Sequence, residues 1–222
     1  MKIKAIVTGA SGMVGEGVLQ ECLLHPDVEE VLVVGRKTCG ITHPKLKEIF
    51  LPDFFNPGPV KESLAGYDAC FFCLGVSSVG ISAEKYFSLT HTLTMNFAGI
   101  LAELNPGMTF CYISGAGTDS SEKGRINWAR VKGKTENDLM KLPFRKVFAF
   151  RPGFLQPAKD ARNLKPLYRA IRYVAPVVHA LMPKYITTLR ELGLAMINSV
   201  LSGYDRQIIE IPDIIRLAEN KP

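Results

Sequence analysis

The stretch "VTGASGMVGEGV" sets glycines at positions 9, 12 and 15. Each has its own physical task at that spacing. Gly9 allows a tight turn. Gly12 lets backbone N–H groups come close to an anion such as a pyrophosphate. Gly15 lets a following helix lie against the preceding strand. Ser11, Met13 and Val14 fill the same loop and are read as contacts to the same anion. A second set of candidates lies in "INWARVKGKTEND", which holds the only tryptophan. Trp128 and Lys132 are four positions apart, so a helix presents an aromatic ring and an ammonium on one face. Such a pair suits a reaction centre, the remnant of one, or an ordinary packed helix face.

A glycine loop of this kind works only between a strand and a helix, and the flanking sequence supplies both. Lys2 to Thr8 reads as a strand, and Val14 to Leu24 as a helix that stops before Pro26. Further strands are expected at Glu30 to Val34, Leu46 to Leu51, Ala69 to Leu74, Thr109 to Ser114 and Lys146 to Phe150. A short strand at Gln207 to Ile211 closes the sheet. Long helices are expected over Ser82 to Leu104 and Asn127 to Leu142. This alternation predicts an α/β protein. Its doubly wound parallel sheet, a Rossmann fold, has about seven strands with helices on both faces.

The whole chain, 1–222, reads as a single domain. Within it, 155–205 is expected to be a mostly helical substrate-side or lid region, with helices near 165–181 and 187–201. Arg162, Lys165, Arg169, Arg172 and Lys184 make part of it a basic amphipathic segment. That segment reads as a lid, as a membrane-surface or partner-binding face, or as a core helix with solvated charges.

In sheets of this kind ligands sit at the carboxyl ends of the strands. NAD sites usually carry an acid at the end of the second strand, for the ribose 2′-hydroxyl. Here that place reads Val34-Gly35-Arg36-Lys37. Arg36 offers a planar fork for a 2′-phosphate, and Lys37 adds a second charge. The expected cofactor is therefore NADP rather than NAD. Asp53, after the third strand, is placed to meet the adenine amino group. Leu74 and Gly75, after the fourth, would run along the adenine ribose. Pro152 and Gly153, after the sixth, complete the expected contacts.

Bulk properties narrow the field. Apolar residues make up 47% of the chain and charged residues 22%, ordinary globular usage that argues against disorder. A net charge of +6 suits a small anionic ligand and is weak support for nucleic acid, for which no motif is visible. No apolar run approaches the length of a membrane span. The N-terminus passes straight into the glycine loop, with no signal-peptide pattern. The five cysteines are unpatterned, which favours a reducing, cytoplasmic setting. Cys70-Phe71-Phe72-Cys73 is formally C-x-x-C, but in a strand residues i and i+3 face opposite ways. It is read as core, and no metal site is expected.

The glycine loop, Asp53, Leu74-Gly75, "MNFAG" at 95–99, Ser114, Lys132 and Arg151-Pro152-Gly153 together resemble a short-chain dehydrogenase/reductase. "SGAGTDSSEKGRINWARVKGKTE" followed by "FRPGF" is similar to its atypical branch, around the Tat-interacting-protein-like and NmrA-like proteins. The resemblance covers most of residues 1–155. It implies a catalytic serine at Ser114 and a catalytic, cofactor-contacting lysine at Lys132. The superfamily's acid is a tyrosine four residues before that lysine, and here the position holds Trp128. Indole N–H donates a hydrogen bond but does not ionise in the working range, so it cannot relay a proton as phenol does. Trp128 is expected instead to wall the cleft.

Tyr86 and His91 are the substitutes for a donor, and each reads first as a half-exposed helix side chain. Tyr112 reads as core and Asn96 as structural. The resemblance implies an NADP-binding oxidoreductase acting on a small carbonyl or alcohol. Its rival is a non-catalytic, NADP(H)-sensing regulatory or interaction protein. The expected partner is a small-molecule substrate, without nucleic acid or stable membrane insertion. A homodimer is compatible with the sequence.

Overall fold

The computed structural model describes residues 2–156 and 186–219. Its strands are β1 (Ile3–Thr8), β2 (Val28–Gly35), β3 (Leu46–Phe50), β4 (Ala69–Phe72), β5 (Thr109–Ile113), β6 (Lys146–Phe150), β7 (Phe154–Gln156), β8 (Ile186–Thr188) and β9 (Ile208–Ile209). Its α-helices are α1 (Met13–Leu24), α2 (Ala83–Phe87), α3 (Leu93–Leu104), α4 (Asn127–Leu139), α5 (Leu189–Leu201) and α6 (Ile211–Glu219).

Seven strands form one sheet in the order β3-β2-β1-β4-β5-β6-β9. Every pairing in it is parallel. Chain order reverses between β1 and β4, which opens a crevice at the carboxyl ends of those strands. β7 and β8 pair separately in a small parallel ribbon. That ribbon, α6 and a 3-10 helix at Gly58–Leu64 have no counterpart in the sequence reading.

Both faces of the sheet are covered, which is why β4 (Ala-Cys-Phe-Phe) is buried at all its positions. One core packs Val18, Leu19 and Cys22 of α1 against Leu192, Met196 and Val200 of α5 and Ile214 and Leu217 of α6. The other packs Phe97, Ala98 and Leu101 of α3 and Leu139 of α4 against Phe72, Phe110 and Tyr112. There Phe54, Phe97, Phe72 and Phe110 form a chain of ring contacts with centroids 5.4–5.9 Å apart. Cys70 belongs to the α3 side and Cys73 to the α1 side, so the C-x-x-C thiols face opposite ways, as strand alternation requires.

Helix α5 answers to the helix expected near 187–201. It lies against α1, with Leu189 over Gly17 and Glu21 of α1 over Gly193. It therefore covers the sheet rather than the cleft. The basic segment 162–185, with the helix expected near 165–181, falls outside the described residues. The helix expected over Ser82 to Leu104 is also not continuous. A π turn at Ser88–Thr92 separates α2 from α3.

Candidate functional site

At the β1–α1 turn, Gly9 has φ +70, and a Cβ there would stand 2.7 Å from the Cys73 carbonyl oxygen. A Cβ on Gly15 would collide with the Gly9 carbonyl group, so α1 lies against β1 only because residue 15 is glycine. Gly12 is different. It has ordinary extended geometry, φ −103 and ψ 161, and no side chain caps the helix it begins. The N-cap residue itself thus offers no side-chain acceptor to the first-turn N–H groups of α1. The glycine at 12 leaves open the space through which an anion would reach them.

Two clefts meet at this turn and share Ser11 and Leu74. The smaller, about 390 Å³, is lined by Gly9, Ala10, Gly35, Arg36, Lys37 and Phe54 among others. The larger, about 950 Å³, runs from Gly12, Met13 and Val14 past Cys73 and Gly75 to Ser114, Lys132, Pro152, Gly153 and Leu155. Joined end to end, they hold most of the residues singled out in the sequence.

Asp53 is an exception. Its carboxylate accepts the Phe55 N–H at 2.9 Å, a short turn in which an aspartate serves backbone two residues on. Phe54 rather than Asp53 lines the smaller cleft.

Trp128 is the second correction. It does not line the larger cleft among the described residues. Its ring lies near Gly117, 3.7 Å from where a Cβ there would be. Spacing along α4 puts residues 128 and 132 on one face, and the loop 115–126 packs against that helix, with the Asp119 N–H donating to the Ala129 carbonyl at 3.1 Å. Gly133 lets this loop come close: a Cβ on it would strike the Asp119 carbonyl.

Ser114 carries a restriction that its position in the sequence does not reveal. Its Oγ lies 2.8 Å from Thr118 Oγ1, and Thr118 gives its single hydroxyl proton to the Gly115 carbonyl at 2.8 Å. The proton between the two hydroxyls must then come from Ser114. Ser114 therefore faces the cleft as an acceptor.

Lys132 reaches the cleft from α4. Its Nζ donates to the Ser114 carbonyl at 2.6 Å and to the Ile113 carbonyl at 3.4 Å. Burial pulls its ammonium down to about 8, against the opposing attraction of Glu136 one turn further on.

Glu136 was missed in the sequence. It is fully buried and holds Arg151 through both oxygens, with Nε to Oε1 at 3.0 Å. Arg151 also bonds Glu210 at 3.2 Å and Ser120. The signal was available: a glutamate four residues after Lys132, on a helix whose inner face is core. This buried pair anchors α4 to the end of β6, immediately before Pro152 and Gly153.

The substitute donors stand apart from the cleft. Tyr86 is 2% exposed, and burial pushes its phenol up. His91 bonds Asp138 at 2.9 Å and stacks on Phe87. Neither is half-exposed as expected: Tyr86 is buried, and His91 is mostly covered where it pairs with Asp138 of α4. Asn96 ties α3 to the Phe55 carbonyl at 2.9 Å, a structural contact.

A seven-stranded parallel sheet in this order, with a glycine loop at its switch point, is a Rossmann fold. No protein-family model matches the chain. The HTATIP2 protein of Rattus norvegicus is 26% identical over 218 residues, covering 97% of this chain and 85% of that one. The mitochondrial protein FMP52-2 of Scheffersomyces stipitis is 29% identical over 159 residues, 70% of this chain and 67% of its own. The mitochondrial fmp52-1 of Aspergillus terreus is 24% identical over 172 residues, 75% and 72%. The chain is a relative of these proteins, and its resemblance to the atypical short-chain dehydrogenase/reductase branch is borne out.

Among solved structures, Helicobacter pylori ADP-L-glycero-D-manno-heptose-6-epimerase superposes with TM-score 0.70 at 12% identity, covering 98% of this chain and 81% of that one. Thermoplasma acidophilum aldohexose dehydrogenase superposes with TM-score 0.68 at 14% identity, 100% and 97%. These likenesses concern the fold.

One expectation is overturned. The fungal relatives are named mitochondrial, which conflicts with a cytoplasmic assignment. The cysteine pattern does not name a compartment. Among the described residues no helix is long and apolar enough to cross a membrane.

Proposed function

We propose that this chain binds NADP and is an oxidoreductase of the atypical short-chain dehydrogenase type, acting on a small carbonyl or alcohol. The observation that carries this reading is the joined pair of clefts. Arg36 and Lys37 lie at one end, the open helix start at Gly12 in the middle, and Ser114 and Lys132 at the other. A dinucleotide fits that layout. Its 2′-phosphate would lie by Arg36, its pyrophosphate over Gly12, and its reactive ring toward Lys132. A nicotinamide dinucleotide is also what related folds hold: the Bordetella bronchiseptica enzyme WbmF is in complex with NAD+.

NADPH should bind more tightly than NADH. A charge-assisted hydrogen bond is worth about 1.5–3 kcal/mol, so the preference should be roughly 10- to 100-fold. Arg36→Asp should reverse the order. Calorimetry giving equal affinities, or a preference for NADH, would remove NADP from the proposal. A panel of carbonyls and alcohols, followed by NADPH formation or loss, then tests for turnover. The rival reading, a dinucleotide sensor without catalysis, is favoured by Trp128 at the tyrosine position. Tight NADPH binding with no turnover across the panel would select it.

A further inference from the structure

We infer that Lys132 itself hands the proton to the substrate oxygen, replacing the tyrosine that this chain lacks; the inference rests on the oxidoreductase reading above. It follows from what the cleft contains. Among the described residues lining the larger cleft, Cys73 and Lys132 are the two with ionisable side chains. Ser114 has spent its proton on Thr118. Tyr86 and Tyr112 are each 2% exposed and sealed in the core. His91 is held by Asp138 at 2.9 Å. An ammonium has three protons, and two of those on Lys132 point to the Ser114 and Ile113 carbonyls. The third is left for the cleft.

The electrostatics agree. A general acid works best when its pKa lies near working pH, and burial brings Lys132 to about 8. Burial pushes the Cys73 thiol up, so it stays protonated. From β5, the Tyr112 ring faces Nζ with its centre 6.0 Å away, and its phenol is also pushed up by burial. From α4 itself comes Glu136, which is paired with Arg151 at the end of β6. Of these groups Glu136 is the one carrying negative charge, and it keeps Lys132 from falling further.

In reduction, the carbonyl carbon gains a hydrogen together with an electron pair from the reduced dinucleotide, which is thereby oxidised. The C=O π pair moves to oxygen, and oxygen takes a proton from Nζ as that N–H bond breaks. The neutral amine regains its proton from water. In the oxidative direction the neutral amine accepts the alcohol proton. Reduction should therefore be level with pH below about 8 and fall above it, while oxidation should rise through the same pH.

The test uses the full chain, NADPH and 9,10-phenanthrenequinone as an activated carbonyl. Lys132→Arg keeps the positive charge but gives up no proton in this range. Because Lys132 also lies beside the cofactor, NADPH affinity is measured by calorimetry and reduction is followed in a single turnover at saturating NADPH, where it should slow by about 100-fold or more. Lys132→Met should slow it as much. Independently of turnover, carbon-13 NMR of lysine-labelled protein should show one resonance titrating near 8 that is absent in Lys132→Arg. A Lys132 midpoint at the ordinary lysine value, or an unchanged reduction rate in Lys132→Arg, overturns the inference alone. Failure of the parent protein to bind either nicotinamide dinucleotide, or to turn over any carbonyl or alcohol, overturns the oxidoreductase reading, and the inference with it.

Discussion

Glu136→Leu should cost about 3 kcal/mol of stability, at the lower end of what breaking a buried ion pair removes. Glu136 is fully buried, and Arg151 is 8% exposed. Removing the carboxylate strands a guanidinium in the interior. Arg151 would keep Glu210 at 3.2 Å, but that partner is half exposed and screened by water. This is why the lower end applies. For a chain of this size each kcal/mol moves the melting midpoint by about 2–4 °C, so a drop of about 6–12 °C is expected in thermal unfolding. Glu136→Leu combined with Arg151→Met should recover most of the loss, because an apolar pair of similar volume avoids the desolvation cost. A single-variant loss below about 1 kcal/mol would show that the pair is not the anchor between α4 and β6.

Gly12→Val should abolish dinucleotide binding while leaving the protein folded. The backbone at Gly12 is extended, φ −103 and ψ 161, a region valine favours. A Cβ there would meet the Gly9 oxygen at 3.4 Å, a tight but tolerable distance. The branched side chain would, however, stand over the open start of α1. Losing two charge-assisted bonds to pyrophosphate, each worth about 1.5–3 kcal/mol, should weaken NADPH at least about 100-fold. Gly15→Ala provides the contrast. Its Cβ would strike the Gly9 carbonyl group, so that variant should lose stability first. Calorimetry and melting curves on the two variants separate the roles. Normal NADPH binding by Gly12→Val would move the phosphate site elsewhere.

Much of the fold was legible because it depends on local periodicity. Strand β1, its glycine loop and α1 follow from an apolar run, three glycines at fixed spacing and a helical pattern ending before Pro26. Apolar runs such as Ala69 to Leu74 announce strands buried on both faces, and their alternation with helices implies the parallel order. The pattern could not show the π turn at Ser88–Thr92. Its residues are as helix-compatible as their neighbours, and only packing of α2 and α3 against α4 decides where the extra residue is absorbed. The short ribbon of β7 and β8 joins segments far apart in sequence, so neither partner carries a local signal for it.

The site divides along the same line. Residue type and position along the chain were enough to mark the anion loop at Gly9, Gly12 and Gly15, the basic end of β2 at Arg36 and Lys37, and the loss of the phenol at Trp128. Those features are set by which side chain, or none, the backbone carries at a given point. Hydrogen-bond direction and burial are properties of neighbours distant in the chain, and the tertiary structure alone decided them. Thr118 spends the Ser114 proton, Trp128 lies beside Gly117 outside the lining of the larger cleft, and one oxygen of Asp53 serves its own turn. Burial against β5, with Glu136 behind it, brings Lys132 to about 8. The sequence determined which groups this protein has. Long-range packing decided which of them keep a proton to give, because a proton's availability depends on every partner within hydrogen-bonding reach.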